Sequence, residues 1–404
     1  FNAMGATTTG SSCTAVGGSA MASNTTGPSN TAVGINALFT NTTAGSNTAV
    51  GKSALYNSNA DDNTAIGKQS LQANTTGISN TAVGADSLMN STTASYNTAV
   101  GQQASFTNTT GAYNSAFGWI ALHDNTTGSY NAAFGARALS ENTTSSHGTA
   151  FGYNALKVST GGDNTAVGSF ALNANTATGN TAFGSDALRA NTSGNYNLAC
   201  GQNTLKVNTT GAGNTAVGAD NLTATTTGSY NTGIGQGCLV ANTTGERNVA
   251  IGANALDAST TSSDSTCIGT LAGSAYTSGQ LTAIGKGAVQ NSTTGNYTVA
   301  VGYLALNYLT TGDHNTAVGF QSMERTTTGN NSTAMGSYAL AYQTTGAYNT
   351  AFGKSALGGA AVTGNDNVGI GVDCLKSSTS GYDNTGIGRN CLDASTTGYK
   401  NVSV

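Results

Sequence analysis

The stretch NTAVGKSALYNSNADDNTAIGKQSLQANTTGIS, from Asn47 to Ser79, contains two successive copies of one unit. The unit reads N-T-A-V-G-x-x-A-L-x-x-N-T-T-G-x-x and has 17 residues, which are numbered here as positions 1 to 17 from the first Asn. A fixed short period is the signature of a repeat architecture, in which each unit packs mainly on its neighbours. We therefore expect the fold to be a stack of similar units.

The repeat keeps its phase along the whole chain. The Gly that ends "AVG" at position 5 recurs at intervals that are nearly all 17 residues, with a few of 16 and one of 18. These glycines fall at 17, 34, 51, 67, 84, 101, 118, 135, 152, 168, 184, 201, 218, 235, 252, 269, 285, 302, 319, 336, 353, 371 and 388, and Gly5 closes a shorter first copy. The sequence thus predicts a single repetitive domain over residues 1–404, with a shortened first coil at 1–16.

A period of 17 residues is too short for two helices and their turns, but it accommodates two short strands and two turns. "T-A-V" and "A-L" are predicted to be the strands, since each is a short apolar run between turn residues. The two glycines, at positions 5 and 15, suit corners with positive φ, and the asparagines suit turns or stacked amide ladders. The predicted fold is an all-β parallel β-solenoid, or β-roll, of about 24 coils spaced ~4.8 Å apart.

Composition argues against several classes of function. Charged residues make up 7% of the chain, against about 25% in a typical soluble domain. Nucleic-acid binding requires clustered basic residues, and the 13 Lys and Arg are scattered among 404 residues. No run of 18 apolar residues is present, so no membrane span is predicted. Because residue 1 is Phe, we expect a processed chain or a piece of a longer one.

Two adjacent positions of the first strand differ sharply in size. Position 3 is nearly always Ala and never larger than Cys, whereas position 4 is always apolar and ranges from Val to Phe. We interpret the Val and Leu columns as the solenoid interior and the Ala columns as a subunit interface. The expected assembly is a homo-oligomer, with three chains around a common axis. The alternative is a monomer with Ala in a thin lumen and with Val and Leu partly exposed. The interface residues would include Ala32, Ala49, Ala82 and Ala99.

The copies NTAVGINALFTNTTAGS and NTAVGADNLTATTTGSY resemble the repeats of bacteriophage tail fibres and related bacterial fibre proteins. They are also similar to the head repeats of trimeric autotransporter adhesins, which share the N-[ST]-x-A-[IV]-G core but have a shorter unit. This resemblance covers essentially the whole chain. It implies a trimeric fibre, extracellular or virion-associated, and for the adhesins a left-handed parallel β-roll that binds host matrix or other cells.

The residues capable of catalysis or metal binding do not form a recognisable motif. His123, His147 and His314 lie in different coils, and the six cysteines contain no CxxC pair. Asp366 and Asp383 share a column, so they suggest a weak Ca²⁺ site or, more simply, two solvated carboxylates. We therefore predict no enzyme activity, no catalytic residue, no metal site and no cofactor.

A tyrosine file offers the best candidate for binding. Tyr96, Tyr113 and Tyr130 occupy position 17 of three consecutive coils. They would either hold the sugar rings of a cell-surface polysaccharide or simply stack on one another.

Two functions lead on the sequence alone: a structural fibre or filament, and an adhesin head that binds glycans or matrix. An adhesin predicts a local break in the repeat, and the best candidate is the irregular stretch 262–280. Ice binding is a minor alternative. It would require a strict T-x-T file in every coil, and here only position 2 is mostly Thr while the facing file is variable.

Overall fold

A computed structural model of the chain describes residues 3–404, and every regular element in it is a β-strand. The predicted all-β parallel solenoid with a 17-residue repeat is confirmed, with about 23 coils formed by 24 strands where about 24 coils were expected. The chain divides into two compact units, Phe1–Asn197 and Leu198–Val404. The repeat continues through both of them, and the single domain stays a prediction. The predicted shortened first coil includes residues 1 and 2, which lie outside the described part.

Each coil contributes one short strand, which usually begins at position 2 and ends at position 4, while β17 and β18 begin at position 1. The first unit contains β1 (Thr14–Val16), β2 (Thr31–Val33), β3 (Thr48–Val50), β4 (Thr64–Ile66), β5 (Thr81–Val83), β6 (Thr98–Val100), β7 (Ser115–Phe117), β8 (Ala132–Phe134), β9 (Thr149–Phe151), β10 (Thr165–Val167) and β11 (Thr181–Phe183). The second contains β12 (Leu198–Cys200), β13 (Thr215–Val217), β14 (Thr232–Ile234), β15 (Val249–Ile251), β16 (Thr266–Ile268), β17 (Leu281–Ile284), β18 (Thr298–Val301), β19 (Thr316–Val318), β20 (Thr333–Met335), β21 (Thr350–Phe352), β22 (Val368–Ile370), β23 (Thr385–Ile387) and β24 (Val402–Ser403).

Within each unit, every strand pairs in parallel with the next, and equivalent residues face each other. Thr98, Ala99 and Val100 of β6 lie beside Ser115, Ala116 and Phe117 of β7, for example. A side chain therefore meets its own counterpart one coil away, and each position of the unit forms a straight column. No helix able to cross a membrane is found among residues 3–404.

The second predicted strand, "A-L", is wrong: in the described coils this segment forms turns. The Leu at position 9 has left-handed backbone geometry, as at Leu55 with φ of 49° and Leu122 with φ of 51°. Positions 7 and 17 are left-handed too, as at Gln103 (φ 56°) and Tyr113 (φ 58°). The coil therefore closes through non-glycine residues in a left-handed conformation that costs energy for most residue types. The hydrogen bonds to the coils on both sides must offset this cost.

The two glycines of the unit serve different purposes. Gly101, at position 5, has φ of +136°, as predicted for a corner. The position-15 prediction is wrong for coils such as that of Gly111, which is not among the positive-φ glycines. Here a Cβ would lie only 2.5 Å from Asn108 Oδ1 and would also strike the Gly128 carbonyl of the next coil. Space, not φ, requires glycine at this corner.

Buried asparagine ladders connect successive coils, as the sequence suggested. At position 1, Asn97 Oδ1 accepts a hydrogen bond from the Asn114 amide at 2.9 Å, while its Nδ2 donates to the Gly111 carbonyl at 2.9 Å. At position 12, Asn125 Nδ2 donates to Asn108 Oδ1 at 3.0 Å. These side chains are fully or almost fully buried. Because buried polar groups must be paired, the amide columns bind each coil to the next in one register.

Candidate functional site

The structure reverses the predicted inside and outside of the first strand. Ala32, Ala49, Ala82 and Ala99 are all 0% exposed within the single chain. They point into the thin lumen, where a Cβ at the position-3 glycine Gly386 would lie 2.7 Å from Cys374 Sγ of the opposite wall. The prediction that these alanines form a subunit interface is therefore wrong, because they have no surface left to offer. The buried Leu column was predicted correctly.

The position-4 column lies on the outer surface instead, together with the Thr column at position 2. We call the position-4 residues of the first unit, from Val16 to Phe183, the apolar file. Its members are half-buried or exposed, up to 56% for Val16 and 50% for Phe151. No residue at position 2 or 4 of any coil is charged. Three consecutive phenylalanines of the file are stacked, with ring centroids 4.8 Å apart between Phe117 and Phe134 and 4.6 Å apart between Phe134 and Phe151.

The tyrosine file is present on the surface, and its rings stack face to face. The centroids of Tyr96 and Tyr113 are 4.9 Å apart with planes at 10°, and those of Tyr113 and Tyr130 are 5.1 Å apart with planes at 2°. His147 continues the stack at 5.3 Å from Tyr130. Because each inner ring face is covered by a neighbour, the file presents ring edges and hydroxyls to solvent. This geometry is that of ring-on-ring stacking, and glycan binding at these residues stays a prediction.

The histidines, cysteines and acidic residues singled out by the sequence do not form a cluster. Within residues 3–404, no group of three or more His, Cys, Asp or Glu side chains is placed to hold a metal ion. The six cysteines are free, and Cys374 and Cys391 form no disulfide. Cys267 occupies position 3 in the lumen, where burial raises the pKa of its thiol from 9.0 to about 12. This thiol is a small apolar filler of the core.

The irregular stretch 262–280 forms a hollow in the surface of the second unit. A cavity of about 500 Å³ is lined by residues of three successive coils, and a smaller one of about 250 Å³ adjoins it. Both are lined by Asp264, Gln280 and Tyr297. Beneath them, Tyr276 replaces the usual Asn at position 12 and is fully buried, and burial raises the pKa of its hydroxyl above the ordinary value. The sequence located this break, but it did not indicate that the break would open a hollow.

A comparison of the chain with protein-family models and with curated proteins finds no match. The resemblance to fibre and adhesin repeats therefore stays a prediction from the motif.

Proposed function

We propose that this chain is a structural fibre or filament protein that assembles side by side with further copies of itself. The observation that supports this is the apolar file, an uncharged column on the outer surface whose side chains stay half-buried or exposed among residues 3–404. Solvent-facing surfaces normally carry mixed charges, and large exposed apolar patches mark interaction sites. The interface is thus assigned to the position-4 side chains, with the position-2 threonines beside them, instead of the alanines.

The area of the file is sufficient for association. Complete burial of a Val, Ile or Phe side chain stabilises by about 1.5–3 kcal/mol at ~25 cal/mol per Å², so it removes about 60–120 Å². If about half of this area is still exposed, the eleven coils of the first unit offer roughly 300–650 Å². A standard interface buries about 800 Å² per partner, a value within reach once the threonine column is included.

A second copy of the chain is the partner that fits this surface best. Its file has the same repeat along the strand-pairing direction, about 4.8 Å, so every side chain of one copy can meet a side chain of the other. Three copies around one axis would cover each file without leaving an edge, and a trimer is the state we expect. Non-catalytic, extracellular or virion-associated use as a fibre belongs to the same proposal.

The test is the mass of the assembly by multi-angle light scattering, with and without charges on the file. We expect the wild-type chain to have a multiple of the monomer mass. The triple variant Val100→Glu, Phe117→Glu, Phe134→Glu should be monomeric, because association would bury three carboxylates. The matched control places glutamates at exposed position 14 of the same coils, at Thr110, Thr127 and Thr144, and should keep the wild-type mass. A monomeric wild-type chain, or an assembly that tolerates the file charges, contradicts the proposal.

A further inference from the structure

We propose that the hollow around residues 261–264, 277–280 and 296–297 is a binding site for a neutral carbohydrate. This site lies in the second unit and does not depend on assembly of the chain, so its test and that of the fibre can fail independently.

The hollow exists because one coil is a residue short at one specific corner. Regular coils place two residues between the position-15 residue and the next position 1, but here Gln280 alone connects Gly279 to Leu281. Leu281 still pairs with Thr298 of the next coil, so the strand register is kept. The missing residue therefore removes side-chain and backbone volume from the corner without shifting the strands.

The other 16-residue coils do not lose this corner. The coil that begins at Asn47 is shortened near Asn59, whose side chain fills the gap: Asn59 Oδ1 accepts hydrogen bonds from the amides of Thr42 and Thr43 at 3.0 and 3.1 Å. That coil keeps Asp61 and Asp62 at positions 16 and 17. The hollow in the second unit is thus specific to the way in which its coil was shortened.

The backbone ladder at this corner is interrupted by the deletion. On either side, the position-17 amide donates to the position-16 carbonyl of the preceding coil, from Asp264 to Glu246 at 3.0 Å and from His314 to Asn296 at 2.9 Å. The Tyr297 amide makes no such backbone bond, since the coil before it has one residue fewer at this corner. The corner therefore presents a backbone donor beside the polar side chains.

Unpaired polar atoms lie at and beneath the hollow. Ser262 Oγ, Asn296 Oδ1 and the Tyr276 hydroxyl are buried and have no hydrogen-bond partner among the described residues. Gly279 lies over the Tyr276 hydroxyl, since a Cβ there would be 2.9 Å from it. Unpaired buried atoms also occur in regular coils, such as Asn41 Oδ1 and Ser91 Oγ, but at this corner the hollow gives hydroxyl groups of a ligand or of water access to Ser262 and Asn296.

The residues of the hollow match the chemistry of a sugar. Hydroxyl and amide side chains predominate among them and offer both donors and acceptors, as a polyol requires. Tyr297 adds an exposed aromatic ring that lines the hollow. His314 stacks on one face of this ring at 5.0 Å, so the C–H face of a sugar would stack on the other. The volume of about 500 Å³ is in the range of small-ligand sites.

A cation is a poorer fit to this site. Asp264 is the one carboxylate among the lining residues, and Arg247 already pairs with it, with Nε to Oδ1 at 2.7 Å and Nη2 to Oδ2 at 3.2 Å. The Arg247 guanidinium lowers the pKa of this carboxyl, which stays ionised and fixed in place. A neutralised single carboxylate does not hold Ca²⁺, which takes six to eight oxygen ligands.

The experiment is calorimetric titration of the full chain with maltohexaose, cellohexaose and the hexamer of N-acetylglucosamine. We expect one of the three to bind the wild-type chain. The variant Tyr297→Ala should bind about 2- to 12-fold more weakly, the loss of one aromatic contact. The variant Tyr348→Ala, in the same column of a regular coil, is the matched control and should bind like the wild type.

A second variant tests the hollow itself. An Asn inserted between Gly279 and Gln280 restores the regular corner, keeps Tyr297 and should abolish binding, while circular dichroism verifies that the solenoid is intact. The proposal is overturned if the wild-type chain binds none of the three oligosaccharides. It is overturned equally if Tyr297→Ala and the insertion variant bind as tightly as the wild type.

Discussion

At the scale of single residues, the lumen limits the size of the side chain at position 3, because the side chains at positions 8 and 9 of the opposite wall lie close to it. A Cβ at Gly386 would lie 2.7 Å from Cys374 Sγ and 3.5 Å from Leu375 Cγ. Close-packed interiors respond to a change of one methylene group. A column of alanines with a few glycines is the result of that narrow space, and it requires no partner chain.

Replacing Ala99 with Leu should therefore destabilise the coil itself. Ala99 is fully enclosed, so the added atoms must displace neighbours at a cost of about 1–3 kcal/mol. The neighbouring control, Val100→Leu, adds a methylene group on the outer surface and should change stability by less than about 0.5 kcal/mol. Urea unfolding followed by circular dichroism measures both. Equal stability of the two variants would mean that Ala99 is not in the lumen.

Position 3 and the opposite position 8 should compensate for each other in size. Gly233, at position 3, faces Asn221, at position 8 of the opposite wall. A Cβ on Gly233 would clash with the side-chain amide of Asn221. We expect Gly233→Ala to lower the urea midpoint and Asn221→Ala, added to it, to restore the midpoint, because the pair then has the consensus Ala and Ala. The cost of the single change is about 1–3 kcal/mol, as for other overpacked cores. If the second change gives no recovery, the two side chains do not share the same space.

At the scale of the coil, stacked columns carry stability that one unit alone lacks. The change Tyr113→Ala removes the middle ring of the tyrosine file and with it the contacts to both Tyr96 and Tyr130. At about 0.5–1.5 kcal/mol per aromatic pair, the expected loss is about 1–3 kcal/mol. Tyr348→Ala is the control, because its column neighbours, Asn331 and Asp366, carry no ring. Hydrogen exchange of the amides in the adjoining coils measures the difference, and equal protection in the two variants would contradict it.

The sequence predicted the period, the parallel stacking and the Asn ladders because these depend on equivalent residues recurring in phase. It did not predict which side of "T-A-V" faces inward, since alternation identifies two faces without saying which is enclosed. The lumen is so narrow that it admits only small side chains such as alanine, and the larger position-4 side chains therefore face outward. The prediction that "A-L" forms a strand was wrong for a related reason. Its Leu residues, such as Leu55, have a left-handed backbone conformation that is locally unfavourable and is stabilised only by the neighbouring coils.

The candidate site was only partly accessible from the sequence. The stretch 262–280 could be found because it loses the consensus pair, and the tyrosine file because three copies share a position. A deletion by itself does not reveal which corner loses volume. That depends on Leu281 keeping its register with Thr298 and on Tyr276 filling the core below.

At the scale of each whole unit, every interior coil is held by ladders to the coil before it and the coil after it. Stability is then close to a sum of nearest-neighbour terms, and opening one coil breaks the bonds on both of its sides. Lys157 illustrates this: its carbonyl accepts from the Glu141 amide at 2.9 Å, and its Nζ lies 2.7 Å from Glu141 Oε1. Arg189 is similarly held, since its guanidinium lies 4.9 Å from the Phe170 ring centroid.

Trypsin should therefore cut the folded chain slowly at Lys157 and Arg189. A protease binds an extended segment, so cleavage requires local opening, and its rate follows the population of the open form when closing is fast. An opening cost of about 3 kcal/mol corresponds to a roughly 100-fold longer lifetime than in the unfolded chain. Peptide mapping by mass spectrometry over time compares the native chain with the chain in a urea concentration that unfolds it but leaves trypsin active. A small chromogenic substrate verifies the protease activity in both solutions. Similar cleavage rates at these two residues in the native and the unfolded chain would contradict the prediction. They would show that a single coil opens at little cost in free energy, although it is hydrogen-bonded to the coils on both sides.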